Sequence, residues 1–440
     1  MRSKSSAVLL ALATLCGVLA PGSTGAGASS SPLDSSFYHY TGAKPLADIA
    51  PGTVLKTRTL SYHIAGVPLP LATIQLLYRS TSPLGAPTVN VTSVLRPPLS
   101  HGAAKVVSYQ SFYDSLNPAD EPSVAIAGGV GIGDGIAYVE TLLFAPLLLA
   151  GYTIVIPDTE GQQADFGASR EYGINTLDSL RAAFRSPAVG LTKTTKVGLL
   201  GYSGGAIATE WAAELAATYA PDVSKNIVGS AMGGVYVDPM HNLRYIDGSV
   251  IWSGVMPGAL VGIARAYHVN MAPYTSAYGA GIVASIQKAS ITNMLGAHPG
   301  LTWAKLTKPA YANPASVPPL VQIANTLIMS TGGTPSAPLF IGQGTGGTLE
   351  GTPGNKPGLG AGDGVMVAGD VRTLARTYCA RGVKVIYRQY SGLSHTPAAA
   401  LWAPQAYTWL LGRFGTSPAP SNCSTIAKGN PLTPVTLQHS

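Results

Sequence analysis

A serine set between glycines, a histidine far downstream and a carboxylate between the two are the groups in this 440-residue chain that could act together as a nucleophilic relay. Residues 196–206 read Lys-Val-Gly-Leu-Leu-Gly-Tyr-Ser-Gly-Gly-Ala, an apolar run that ends in Gly-x-Ser-x-Gly around Ser203. With 52 glycines in the chain the motif alone says little, so its context has to supply the weight. Residues 197–200 read as a buried strand and residues 206–219 as a helix that Pro221 stops. Strand, tight turn, helix is the order of a nucleophile elbow, where strained backbone lifts the hydroxyl clear of the sheet and tolerates only small neighbours. Gly201, Gly204 and Gly205 meet that demand. The bland alternative is a glycine-rich turn with an incidental serine.

A serine hydroxyl is a poor nucleophile until a histidine takes its proton and a carboxylate fixes that histidine's tautomer. After an elbow the partners follow in the order acid, then histidine. Only His395 and His439 lie late enough, and His439 is penultimate, where disorder is the default. His395 sits in a turn after a strand expected at 384–390 and before a helix containing Leu401 and Trp409, so it is read as the base. Asp363, in Gly-Asp-Gly-Val-Met-Val, precedes a helix expected at 365–381 and is favoured as the acid. The competitors are Asp370, expected to face solvent from inside that helix, and Glu350, in a glycine-rich loop. Acyl transfer also needs oxyanion donors. One is the N–H of Gly204, at a helix N-terminus; the other is sought in Ser111-Phe112-Tyr113-Asp114-Ser115, after a strand at 105–110.

The elements that must hold these groups change character along the chain. Residues 53–60, 72–80 and 87–96 read as strands without helices between them, an antiparallel edge. From 105 onward strands (105–110, 152–157, 197–200) alternate with helices (137–149, 173–184), which means parallel βαβ units with both sheet faces covered. Residues 229–319 read as a mainly helical inserted cap; 325–329 and 337–342 return to strand; 343–362 reads as an irregular loop and 416–440 as a tail. In the cap, Met256, Met271, Tyr274 and Met294 could line an acyl-chain site.

Residues 1–28 read as a secretory signal peptide, with Arg2 and Lys4 ahead of an apolar run too short to span a bilayer, and a small-residue cut site ending at Ala28. The rest reads as an exported α/β domain with no membrane span, since the longest later apolar stretch, 144–156, is broken by Pro146 and Gly151. A net charge of +7 without a basic run gives no nucleic-acid patch, though a lipid–water interface is compatible with it. Cys379 and Cys423, the pair beyond the signal, read as a disulfide. Eight scattered histidines offer no metal-ligand spacing, and no cofactor motif is found. Asn90 and Asn422 match glycosylation acceptors but carry little weight.

Several blocks together resemble the secretory lipase family, the α/β-hydrolases of the Candida antarctica lipase A type, in its bacterial branch. They are residues 76–81 (Leu-Leu-Tyr-Arg-Ser-Thr), 108–115 with Tyr113-Asp114-Ser115, 157–161 (Pro-Asp-Thr-Glu-Gly), 177–183 and the elbow. The resemblance implies an α/β-hydrolase fold with a helical cap, and a secreted lipase or carboxylesterase acting on fatty-acyl esters such as triacylglycerols. It carries the oxyanion N–H to Asp114, the nucleophile to Ser203, and the acid and base to Asp363 and His395. It gives the 157–161 block a structural role. The family's acid turn has a Val-Pro that this chain replaces with Gly364-Val365-Met366. Two other readings are an acyltransferase using the same groups and an exported hydrolase-fold binding protein without catalysis.

Overall fold

The computed structural model describes residues 33, 35–99 and 103–438. The expected signal peptide and His439 lie outside the described residues. The strands are β1 Val54–Ile64, β2 Val67–Thr81, β3 Pro87–Leu95, β4 Lys105–Gln110, β5 Thr153–Pro157, β6 Lys196–Tyr202, β7 Ile227–Gly233, β8 Leu339–Gly344 and β9 Val385–Tyr390. They form one nine-stranded sheet in the order β1-β2-β3-β5-β4-β6-β7-β8-β9. β1, β2, β3 and β5 pair antiparallel, and all pairings from β5 to β9 are parallel. The antiparallel edge is therefore as expected, joined to the parallel sheet of an α/β-hydrolase fold. β4 lies between β5 and β6, so the chain order reverses there and a crevice opens at the carboxyl ends of β4 and β6.

The longer helices are α1 Gly135–Leu149, α2 Ser169–Arg185, α3 Gly204–Tyr219, α4 Pro239–Ile246, α5 Val255–Ala266, α6 Ala277–Ser285, α7 Pro318–Thr326, α8 Ala368–Ala380 and α9 His395–Arg413. Apolar side chains of α2, α3 and α8 cover one face of the sheet; those of α1 and α9 cover the other. The α2–α3 crossing is close because Gly173 lies against the main chain of Trp211 and Ala212, where a Cβ would come within 2.6 Å. Helices α4 to α7, with short turns of helix at Ile291–Met294 and Trp303–Leu306, share a separate apolar cluster above the sheet. Among the described residues, no helix is long and apolar enough to cross a membrane.

Three expectations fail on instructive grounds. Residues 227–233 are the strand β7 and not the start of the cap, so the helical block begins at Pro239. The glycines that read as breaks make room for helix α9: a Cβ at Gly233 would stand 2.8 Å from Trp402, and one at Gly229 3.1 Å from Trp409. Residues 325–329 are the end of α7 and a turn, because Pro318 starts a helix there and β8 already pairs with β7 and β9 on its two sides. Helix α8 starts at Ala368, three residues late, because the turn before it is occupied by hydrogen bonds to Asp363.

The tail packs along this frame. Asn422 both donates to and accepts from the Tyr387 main chain on β9, and Cys423 is disulfide-bonded to Cys379 with their Cα atoms 5.7 Å apart. Asn90 is fully buried with its amide donating to the Asp158 carbonyl at 2.6 Å, which rules it out as a glycan acceptor.

Candidate active site

Ser203 occupies the turn between β6 and α3 with φ +56° and ψ −122°, a strained conformation for a side-chain-bearing residue. The turn closes only with glycine around it. A Cβ on Gly201 or Gly205 would collide with neighbouring main chain, Gly205's with the carbonyl of Gln110 on β4. The Ser203 N–H donates to the Gly233 carbonyl at 2.9 Å, tying the elbow to the end of β7.

His395 is the first residue of α9, directly after the turn from β9, and is 5% exposed. Its Nε2 lies 2.8 Å from Ser203 Oγ and its Nδ1 2.8 Å from Asp363 Oδ2. Asp363 is fully buried; its other oxygen accepts the N–H groups of Val365 and Met366 at 3.2 and 2.8 Å. Its carbonyl accepts the His395 N–H at 2.7 Å. Gly364, at φ +125°, bends the chain so that those N–H groups return to the carboxylate. The fold thus brings Ser203, His395 and Asp363 into one hydrogen-bonded line.

The competing carboxylates have other partners. Asp370 is buried, contrary to the solvent-facing position expected, because the late start of α8 puts it in the first turn against the cap. There it accepts from His241 of α4 at 3.0 Å and from Asn430 of the tail at 2.8 Å. Glu350 approaches the relay from behind: its Oε2 accepts the Trp252 indole N–H at 2.7 Å, and the Trp252 ring stands edge-on to His395 at 5.2 Å. Tyr202, next to the serine, packs its ring 5.1 Å from the imidazole and donates its hydroxyl to the His395 carbonyl at 2.7 Å. Sequence reasoning missed Trp252, Glu350 and Tyr202 as parts of the imidazole's walls.

Burial alone would hold the His395 imidazolium down, but the Asp363 carboxylate and then Glu350 and Asp114 outweigh it, and the net shift is upward. Asp114, on the other side of the serine, is pushed up to about 7 by burial, with His395 opposing. Asp114 follows β4 at φ +37°, and its carboxyl lies over Gly204 so closely that a Cβ there would overlap it. Both expected oxyanion residues, Asp114 and Gly204, thus flank Ser203 at the mouths of β4 and β6.

Asp114, Ser203 and Gly204 line the floor of a cavity under the cap. Its walls are apolar, from Met240, Leu243, Met256, Leu260 and Ile263 of the cap and Met366 beside Asp363. Of the four cap residues expected here, only Met256 is in the lining. Met294 is buried under α5 against Gly258, Tyr274 packs edge-on to Tyr311 at 4.9 Å, and Met271 packs against the cap's apolar cluster half-buried.

The secretory lipase family model matches residues 135–312, a span that holds Ser203 and most of the cap and ends ahead of Asp363 and His395. Over 413 residues the chain is 29% identical to Lipase 4 of Candida albicans, covering 90% of this chain and 84% of that one. Over 394 residues it is 28% identical to a Mycobacterium tuberculosis protein described as a probable inactive lipase, covering 88% and 83%. Among solved structures, Candida antarctica lipase A in its closed state superposes with a TM-score of 0.76 at 25% identity, covering 92% of this chain and 91% of that one.

Proposed function

We propose, for a chain that is a relative of the secretory lipases, that it is an exported serine hydrolase cleaving carboxylic esters of fatty acids, with Ser203 as nucleophile, His395 as general base and acid, and Asp363 as the group that orients the imidazole. The single observation that carries this reading is the relay of two 2.8 Å hydrogen bonds from Asp363 through His395 to Ser203, opening into an apolar cavity.

In the proposed reaction His395 Nε2 takes the Ser203 proton as Oγ adds to the ester carbonyl carbon. The negative charge that develops on the carbonyl oxygen is met by the main-chain N–H groups of Gly204 and Asp114, the first of them at the positive end of α3. His395 then gives its proton to the departing alcohol, leaving an acyl group on Ser203. A water molecule, deprotonated by His395, adds to the acyl carbon; the fatty acid leaves and Ser203 regains its proton. Asp363 orients the imidazole through Nδ1 and stabilises the imidazolium. The methionine- and leucine-lined cavity supports an acyl chain as the part of the substrate held under the cap.

The test is a rate profile on p-nitrophenyl esters from acetyl to palmitoyl, then on emulsified triacylglycerol, with wild type and Ser203→Ala. The reading expects hydrolysis by the wild type with a preference beyond the shortest chain, and a loss of at least about a thousandfold in the variant. A wild type inert on every ester, in line with the description of the mycobacterial relative, contradicts it, as does a Ser203→Ala protein that keeps its rate.

A further inference from the structure

One buried residue, Glu160, holds Asp114 from both sides. Glu160 lies in the loop after β5 and is fully buried. Its main-chain N–H donates to the Tyr113 hydroxyl at 2.9 Å, and one of its carboxyl oxygens accepts the Ser115 N–H at 3.1 Å. The residue before Asp114 and the residue after it are therefore anchored to the same partner. Glu160 is itself fixed: its second oxygen accepts the Tyr172 hydroxyl from α2 at 2.8 Å, and the Tyr113 hydroxyl donates to a Glu121 carboxyl oxygen at 2.8 Å. Asp114 between these anchors sits at φ +37°, a conformation that a residue with a side chain keeps only when its surroundings impose it. The cap adds one more fastening, the Ile291 N–H donating to the Asp114 carbonyl at 2.7 Å.

We infer that Glu160 is a positioning residue for the oxyanion site, fixing the main chain of Asp114 so that its N–H is aimed at the oxygen of the tetrahedral intermediate. The inference rests on the proposed ester hydrolysis and adds to it a residue that touches neither substrate nor the nucleophile relay. A carboxyl at this depth is costly: burial, and after it the charge of Asp114, pushes Glu160 well above the usual carboxylate range. An apolar side chain would fill the space at less cost but could not accept the Ser115 N–H.

The test compares Glu160→Ala, Glu160→Gln and Tyr113→Phe with wild type, with thermal unfolding as a control for folding. The readouts are kcat and KM on one p-nitrophenyl ester, and the affinity of an alkyl trifluoromethyl ketone, whose serine adduct carries the oxyanion. For Glu160→Ala, kcat falls about 100-fold, the size of losing one oxyanion donor, with KM nearly unchanged and ketone affinity falling in step. Glu160→Gln, which keeps an oxygen for Ser115, regains most of the loss. Tyr113→Phe, which frees the other anchor, shows the same kcat-only pattern at smaller size, and it decides the matter with Glu160→Gln if the alanine variant does not fold. A folded Glu160→Ala protein with wild-type kcat overturns the inference, and so does a fall in kcat that leaves ketone affinity intact. A wild type that hydrolyses no ester overturns the hydrolase reading first and this one with it.

Discussion

His395 sets the pH at which the proposed reaction can run, because it must be neutral to take the serine proton. Its upward shift places the ascending limb of kcat/KM above the ordinary histidine value of about 6.5. Asp363 is the largest of the raising influences, so Asp363→Asn lowers that limb and cuts kcat by roughly 10⁴, through the wrong imidazole tautomer. Glu350→Gln keeps an acceptor for Trp252 but removes a charge, so it moves the limb down while leaving most of kcat. A pH–rate profile on a soluble ester checks both; an unmoved limb in Asp363→Asn contradicts the account. Ser203, Gly204, Asp363 and His395 were legible in the sequence because an elbow, a late histidine and an acid between them have a fixed chain order. The parts that Glu160, Trp252 and Glu350 play were not, since each acts through a partner dozens of residues away: the 157–161 block read only as structural and Glu350 only as a competing acid. Asp370 was misjudged for a similar reason: its partners, His241 and Asn430, come from the cap and the tail.

Helices and strands here meet through glycine, and substitutions there separate close approach from simple flexibility. Gly205→Ala drives a Cβ into the Gln110 carbonyl, so α3 has to move off β4 at a cost of about 3 kcal/mol, read as a lower urea midpoint. Gly412→Ala, near the end of α9 with open space around it, adds about 0.5 kcal/mol of stability, read as a higher urea midpoint. The same geometry explains what alternation of apolar residues could and could not reveal. β1 to β6, β8 and β9 announce themselves, whereas β7 hides behind the glycines that admit Trp402 and Trp409. The junction of α4 with α8 has its own pH dependence. Burial lowers His241, but the hydrogen bond and charge of Asp370, with Asp238, outweigh it and the net shift is upward. A raised histidine adds stability that is fully present below its unfolded value, about 6.5, and is lost as pH rises through the folded value. The stability gap between wild type and His241→Gln is therefore wider at pH 5.5 than at pH 8.5, as urea unfolding at about those two values can show; an equal gap contradicts the pairing.

Across the folded chain, distant segments are joined by a sheet whose strand order reverses at β4 and by one covalent bridge. Cys379 and Cys423 close a loop with a separation of 44 residues, and replacing both by serine removes roughly 4 kcal/mol in the chain-entropy view. Because the tail also holds Asn430 against Asp370 and Val435 against Asn325 of α7, its release loosens the cap as well as the core. The α/β class and the antiparallel edge could be read from the order of elements, as could the cysteine pairing from its count. The cap's lining could not, because which methionine faces the cavity depends on how α4 and α5 pack over β6. The central claim is that Ser203 is a nucleophile armed by His395. Its most direct test is fluorophosphonate labelling followed by peptide mass spectrometry, on wild type and a folded His395→Ala variant. A single adduct on Ser203, formed at least about a thousandfold more slowly in the variant, is the predicted result. An adduct on another residue, or equal labelling rates in the two proteins, would contradict it.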